Sequence, residues 1–277
     1  MTATRSPLRV AAAQVPATAG DLSGNASVAA RSIAAAATAG ARLVVFPELS
    51  LSGYDVALLR ADPARCAAEA GGSALTMVGD ACRTHRVTAV VGGCVRRDDG
   101  WAIGALVVGP DGRLVAEYHK RHLDGHEQEL FVPGRHDVLL DVDGWRLGLG
   151  ICYDASFPEH ARSLALAGAD AYLCPGAFLT GDSDHRRGVY FPARALENTC
   201  YLVFANFTGS HGGWDFAGRS AVWAPNGRAL ADAGTEEGLA VADLDEATLR
   251  RHRSALRMLA DRAAPAPPPV PVPVPAG

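Results

Sequence analysis

The sequence predicts a layered α/β protein with mixed sheets. Short β-branched and aromatic runs alternate with alanine-rich or amphipathic helical stretches along most of the chain. Several neighbouring strand-like runs are nevertheless joined by tight turns, among them Pro110-Asp111-Gly112 and Asp143-Gly144. A tight turn joins antiparallel strands, whereas a helical crossover joins parallel ones, so the mixture argues against a purely parallel barrel.

Taken in order, Leu8 to Val15 reads as a first strand and Asn25 to Ala39 as a helix stopped by Gly40. Arg42 to Phe46 is a buried strand that closes at Pro47-Glu48. A helix from Ser73 to His85 leads into strands Val87 to Val95, Ile103 to Val108 and Leu114 to Lys120. The second half repeats the style. Val138 to Val142 and Arg146 to Cys152 form a hairpin, followed by a helix from Pro158 to Ala167 and a strand from Ala171 to Cys174. Arg186 to Glu197 is helical; Cys200 to Ala205, Ala221 to Trp223 and Gly238 to Leu244 are strands; Glu246 to Leu259 is the last helix. No break in the pattern marks a boundary, so residues 1–262 are expected to form one domain. Residues 263–277, nearly all proline, alanine and valine, are expected to form an extended tail.

Composition narrows the function. The chain of 277 residues has a net charge of −4 and no basic run, which leaves no electrostatic footprint for nucleic acid. No apolar stretch approaches the length of a membrane span, and Leu8 to Val15 is too short for a signal-peptide core, so a soluble cytoplasmic protein is expected. The six cysteines contain no CxxC pair; they are read as reduced thiols, five of them core fillers. His119, His122 and His126 have metal-like spacing, but His119 lies in a strand pattern and Gly125 interrupts any helix, so no metal is expected.

Three residues at strand ends form a chemical set. Cys152 offers a nucleophilic sulfur where the chain turns towards a helix, with backbone N–H groups nearby to hold an oxyanion. Glu48 closes a buried strand, where desolvation raises a carboxylate's proton affinity and suits it to general-base work. Lys120 closes another and supplies a fixed positive charge. Read singly, each is more often a loop acid, a surface charge or a core thiol.

Their neighbours decide between these readings. Phe46-Pro47-Glu48-Leu49-Ser50-Leu51-Ser52-Gly53-Tyr54, Tyr118-His119-Lys120-Arg121-His122-Leu123 and Gly150-Ile151-Cys152-Tyr153-Asp154 with Phe157-Pro158-Glu159 resemble, in order, the glutamate, lysine and cysteine motifs of the nitrilase superfamily of carbon–nitrogen hydrolases. Arg194-Ala195-Leu196-Glu197-Asn198, Asn206 and Gly218-Arg219-Ser220 also match, so the resemblance spans roughly Leu8 to Leu244. It implies a four-layer α-β-β-α sandwich with two mixed β-sheets, assembled as a homodimer or larger homo-oligomer. It also implies a Glu48-Lys120-Cys152 triad working through a thioester, without a metal or organic cofactor. The family's second glutamate matches Glu127, four residues before Phe131 in Phe131-Val132-Pro133-Gly134; it would position Lys120 or the substrate, with Glu129 as its competitor.

Tyr153-Asp154 after the cysteine points within that family to a small-molecule amide, aliphatic or ω-amino. Tyr153 would hold the oxyanion through its N–H. Tyr54, Asp182, Asp184 and His185 lie in loops expected to line the pocket, namely Tyr54-Asp55, Gly176 to Arg187 and, with them, Gly209 to Asp215; Asp182 or Asp184 would pair with a substrate amine, Arg186 or Arg187 with a carboxylate. The alternatives are an N-carbamoyl amine or amino acid substrate, a soluble acyltransferase, a Cys-His hydrolase using His185, and a catalytically idle scaffold.

Overall fold

The computed structural model describes residues 5–263, so all of the proline-rich tail but its first residue lies outside the described residues. The first half contains β1 (Leu8–Gln14), α1 (Leu22–Thr38), β2 (Leu43–Val45), α2 (Val56–Ala61), α3 (Ser73–His85), β3 (Thr88–Arg97), β4 (Gly100–Val108) and β5 (Leu114–His119). The second contains β6 (Leu139–Val142), β7 (Trp145–Leu149), α4 (Pro158–Leu166), β8 (Ala171–Pro175), α5 (Asp182–Glu197), β9 (Tyr201–Ala205), β10 (Thr208–His211), β11 (Trp214–Ala217), β12 (Ala221–Trp223), β13 (Ala229–Asp232), β14 (Gly238–Leu244) and α6 (Glu246–Ala255).

Two six-stranded sheets result, ordered β14-β1-β2-β3-β4-β5 and β13-β12-β9-β8-β7-β6. Each has a parallel centre and antiparallel flanks: β1, β2 and β3 run parallel in one, β7, β8 and β9 in the other. The sheets are therefore mixed, as the turns and crossovers require. The strand that closes the first sheet is β14, which pairs antiparallel with all seven residues of β1.

The alternation of side chains along each strand makes the four layers. Val10 and Ala12 of β1 face the inter-sheet core together with Leu147 and Leu149 of β7 and Tyr201 and Val203 of β9. The intervening Ala11 and Ala13 pack outwards with Ala29 and Ile33 of α1 and Val78 and Cys82 of α3. On the far side, Tyr172 and Cys174 of β8 and Leu202 and Phe204 of β9 meet Leu164 of α4 and Phe191 of α5. The order is thus helices, sheet, sheet, helices.

Three differences from expectation bear on the site. The strand leading to Cys152 ends at Leu149, and Cys152 instead opens a 3₁₀ turn, Cys152–Ser156. Helix α5 begins at Asp182, four residues before the expected Arg186, with Asp182 and Asp184 in its first turn where acidic groups favour the helix dipole. The Gly209–Asp215 segment is a hairpin, β10–β11, and not a loop. Away from the site, the last helix stops at Ala255, short of the expected Leu259.

Candidate active site

Glu48, Lys120 and Glu127 converge from three segments, each no more than 2 % exposed. Glu48 follows β2, and its backbone N–H donates to the Gly176 carbonyl of the opposite sheet at 3.2 Å. Lys120 prolongs β5, its N–H donating to the Ile103 carbonyl at 2.9 Å. Glu127 sits on a 3₁₀ turn, Gly125–Glu129, closed by a reciprocal cap with Asp124, whose N–H donates to Glu127 Oε2 at 2.8 Å. Lys120 Nζ donates to Glu48 Oε1 at 2.8 Å and to Glu127 Oε1 and Oε2 at 2.8 and 2.7 Å, so its three protons are all engaged. Tyr54 adds a fourth hydrogen bond to Glu127, its hydroxyl lying 2.7 Å from Oε1.

Close packing at two glycines lets these segments meet. A Cβ at Gly92 of β3 would stand 2.3 Å from the Leu49 nitrogen and 2.4 Å from the Pro47 carbonyl, where the chain carrying Glu48 lies against the strand. A Cβ at Gly150 would stand 1.9 Å from the Tyr172 hydroxyl. Cys152 follows with φ +44°, a left-handed conformation that costs an L-residue free energy and persists only where its surroundings hold it.

The electrostatics are those of a desolvated cluster. Burial pushes the Glu48 carboxyl up to about 7, against the opposing pull of Lys120. Burial disfavours the Lys120 charge, but the Glu127 and Glu48 carboxylates outweigh it and hold the ammonium well above its usual range. Burial and then Glu48 push the Cys152 thiol well above the usual thiol range, while Lys120 and the Ala177 N–H act in the other direction. At neutral pH this describes a thiol beside a carboxyl poised to exchange its proton. The other five cysteines are buried, and burial pushes Cys82, Cys94 and Cys200 up to about 12.

Above the cluster opens a cavity of about 400 Å³, room for a small ligand; Lys120, Glu127 and Cys152 are among its lining. The model of the carbon–nitrogen hydrolase family matches residues 9–254. The chain belongs to that family. It is a hydrolase of carbon–nitrogen bonds other than peptide bonds, in the amidase-containing nitrilase superfamily. It is 38 % identical to the "Hydrolase in pqqF 5′region" of Pseudomonas protegens, over 92 % of this chain and 89 % of the relative. It is 33 % identical to the 2-oxoglutaramate amidase of Bacillus subtilis, over 74 % of this chain and 78 % of that one. Among solved structures, a mutant amidase from Nesterenkonia sp. AN1 superposes with a TM-score of 0.82 at 31 % identity, covering 95 % of each chain. That structure shows covalent addition of the acetamide moiety of fluoroacetamide at its active-site cysteine.

In this carbon–nitrogen hydrolase the expected site residues divide. Glu48, Lys120, Glu127 and Cys152 come together, and Tyr54 and Tyr153 line the cavity. Asp182, Asp184 and His185 do not line it. Asp182 and His185 are exposed, which removes His185 as a thiol partner, and Asp184 pairs with Arg187 at 2.6 Å and Arg219 at 3.6 Å. The cause is helical phase: with α5 starting at Asp182, Ser183, Arg186 and Tyr190 form the face that lines the cavity. Glu129 is exposed and pairs with Arg60. The three histidines are dispersed: His119 lies 3.4 Å from Glu117, His122 binds Asp154, and His126 meets the Tyr54 hydroxyl at 3.1 Å and stacks on Trp214. Trp214, in the segment expected to form a wall, lines the cavity, as does His126, which carries no motif that marks it.

Proposed function

We propose that this hydrolase cleaves a small amide through a thioester on Cys152. Glu48 accepts the proton of Cys152 as the sulfur attacks the amide carbonyl carbon. The oxyanion is held by Lys120 Nζ, which releases one of its two contacts to Glu127, and by the Tyr153 N–H at the start of the 3₁₀ turn, where N–H groups have no partner within the turn. Collapse breaks the C–N bond; Glu48 returns its proton to the leaving nitrogen, and ammonia departs. Glu48 then takes a proton from water, whose oxygen attacks the thioester, and the acid leaves as the thiol regains its proton. The observation that carries the reading is the buried Glu48-Lys120-Glu127 cluster meeting Cys152 at one cavity.

The cavity wall also bears on the substrate. An ω-amino amide rested on Asp182 or Asp184, and those carboxylates lie elsewhere. Arg186 lines the cavity and makes no ion pair among the described residues, whereas its neighbour Arg187 is paired with Asp184. A free guanidinium in the cavity wall fits an amide whose other end is anionic, the monoamide of a dicarboxylic acid. The 2-oxoglutaramate amidase of Bacillus subtilis is named for a substrate of this kind. An N-carbamoyl amino acid would present Arg186 with a carboxylate as well.

Ammonia release from neutral amides, ω-amino amides, dicarboxylate monoamides and N-carbamoyl amino acids, beside Cys152→Ala, tests both parts. Turnover of the monoamides that disappears in the variant is the expected result. Carbon dioxide released with the ammonia would move the substrate to the N-carbamoyl class. Silence across the panel from folded protein would overturn the hydrolytic reading in favour of acyl transfer or an idle scaffold.

A further inference from the structure

Behind the cavity, one carboxylate ties together the two segments that carry Cys152 and Lys120. Asp154 is fully buried and both of its oxygens are filled. Oδ2 accepts from the Ile151 N–H at 2.9 Å and the Tyr118 hydroxyl at 2.7 Å; Oδ1 accepts from the His122 N–H at 2.9 Å and His122 Nδ1 at 2.7 Å. Burial opposes ionisation of Asp154; the His122 hydrogen bond, the nearby His160 ring and the Ile151 and Tyr118 donors together outweigh it and hold the carboxyl below its usual range. An ionised carboxylate only accepts, so all four partners donate and His122 carries a proton on Nδ1.

The placement of those donors in the chain is the informative part. Tyr118 and His122 stand two residues before and two residues after Lys120, while Ile151 immediately precedes Cys152. The four bonds therefore bracket the lysine on both sides and fasten it to the turn that holds the sulfur. A second tier supports the first. Tyr118, having given its proton to Asp154, accepts from His160 Nε2 at 2.8 Å, and His160 Nδ1 accepts from the Tyr172 hydroxyl at 3.1 Å. Burial lowers the pKa of His160, consistent with a neutral ring that donates at one nitrogen and accepts at the other. None of these five side chains lines the cavity, so none is placed to touch a substrate. The left-handed Cys152 is the strained position that such an arrangement holds.

We propose that Asp154 is a positioning residue that sets the separation of the Cys152 sulfur and the Lys120 ammonium by clamping the 3₁₀ turn to both flanks of the lysine. The inference rests on the reading of Cys152 and Lys120 as the reacting pair. A carboxylate that merely satisfied buried donors would affect stability and leave turnover alone; a clamp acts on turnover of bound substrate.

The test compares kcat, KM and Tm of the full-length wild type, Asp154→Asn and His122→Ala on a dicarboxylate monoamide, beside Cys152→Ala. Asparagine puts an NH₂ where one pair of donors needs an acceptor, so that pair is lost. His122 has a side chain about 30 % exposed, and its truncation removes one donor without opening the core. Because a misplacement of about 1 Å can cost roughly 100-fold, Asp154→Asn is expected to lower kcat about 10- to 100-fold with KM within about threefold, and His122→Ala about 3- to 10-fold. Folded Asp154→Asn with wild-type kcat, whatever its Tm, overturns the clamp, as does a change confined to KM. Should Asp154→Asn fail to fold, His122→Ala decides: lost kcat at constant KM supports the clamp, and unaltered kcat overturns it. Activity retained by Cys152→Ala would remove the hydrolytic reading and the clamp with it; an inactive Cys152→Ala beside an unimpaired Asp154→Asn removes the clamp alone.

Discussion

The floor of the cavity and its rim are held by different means. On the floor, the Lys120 ammonium and both Glu127 oxygens are engaged by named partners, and those partners lie just beyond β2, just before α2 and on the capped 3₁₀ turn. At the rim, the first turns of α5 present Ser183, Arg186 and Tyr190, and Arg186 is exposed and bonded to nothing among the described residues. A site of this kind keeps its chemistry rigid and leaves recognition to side chains that can change without disturbing it. Substitutions in the ion-paired floor of Glu48, Lys120 and Glu127 should therefore damage turnover and the fold together, while those at the rim should move substrate preference alone.

The sharpest way to break that contrast is to remove the sulfur. Cys152→Ala is expected to lower amide hydrolysis by about 10⁴-fold or more, with the far-UV circular dichroism unchanged. Next, Lys120→Ala would leave Glu48 and Glu127 buried without their counter-charge; denaturant titration should show a loss of about 3–5 kcal/mol, the range for breaking a buried pair from one side. A mild effect there would mean that the floor is less tightly coupled than its geometry implies. The Glu48 carboxyl, raised to about 7, supplies a pH test. Above that pH it is ionised and can accept the thiol proton; below it, the fraction of base falls about tenfold per unit, so kcat/KM should drop on the acid side with an apparent midpoint near 7 belonging to the coupled cluster. A midpoint near 4 would contradict a desolvated base.

At the rim, Arg186→Gln should raise KM for a dicarboxylate monoamide about tenfold or more, the worth of a hydrogen bond to a charged group, and leave neutral amides within about twofold. Smallest of all, Asp182→Asn should change neither kcat nor KM by more than about twofold, since exposed substitutions are nearly silent. A large effect of Asp182→Asn on a cationic amide would restore the ω-amino reading.

The same contrast explains what could be read from the chain. Glu48, Lys120 and Cys152 were legible because each closes a strand-like run, and the ordered motifs around them leave few other arrangements. The sandwich was legible for a similar reason: β1 alternates between two cores, and the glycine-containing turns mark where strands reverse. Rim residues depend on where α5 begins. A start at Arg186 carries no information about the preceding turn, and moving the start to Asp182 sets the phase that brings Ser183 and Arg186 to the cavity and turns Asp182 outwards. Trp214 and His126 reach the wall through a glycine hairpin and a 3₁₀ turn, neither of which has a periodicity to betray a facing direction. Asp154 stood in the cysteine motif, but its ties to Tyr118 and His122 join residues more than thirty positions apart and exist only once the sheets have met.

Gly92 and Gly150 show what it would take to transplant this chemistry. A designer who copied Glu48, Lys120, Glu127 and Cys152 onto another sandwich, with every bond length preserved, would still fail wherever the host carried alanine at these two places, because one methyl group would occupy the volume of the Pro47–Leu49 backbone and another that of the Tyr172 hydroxyl. The recipe includes two missing methyl groups as ingredients. A catalogue of contacts, which records only atoms that exist, would leave both of them out.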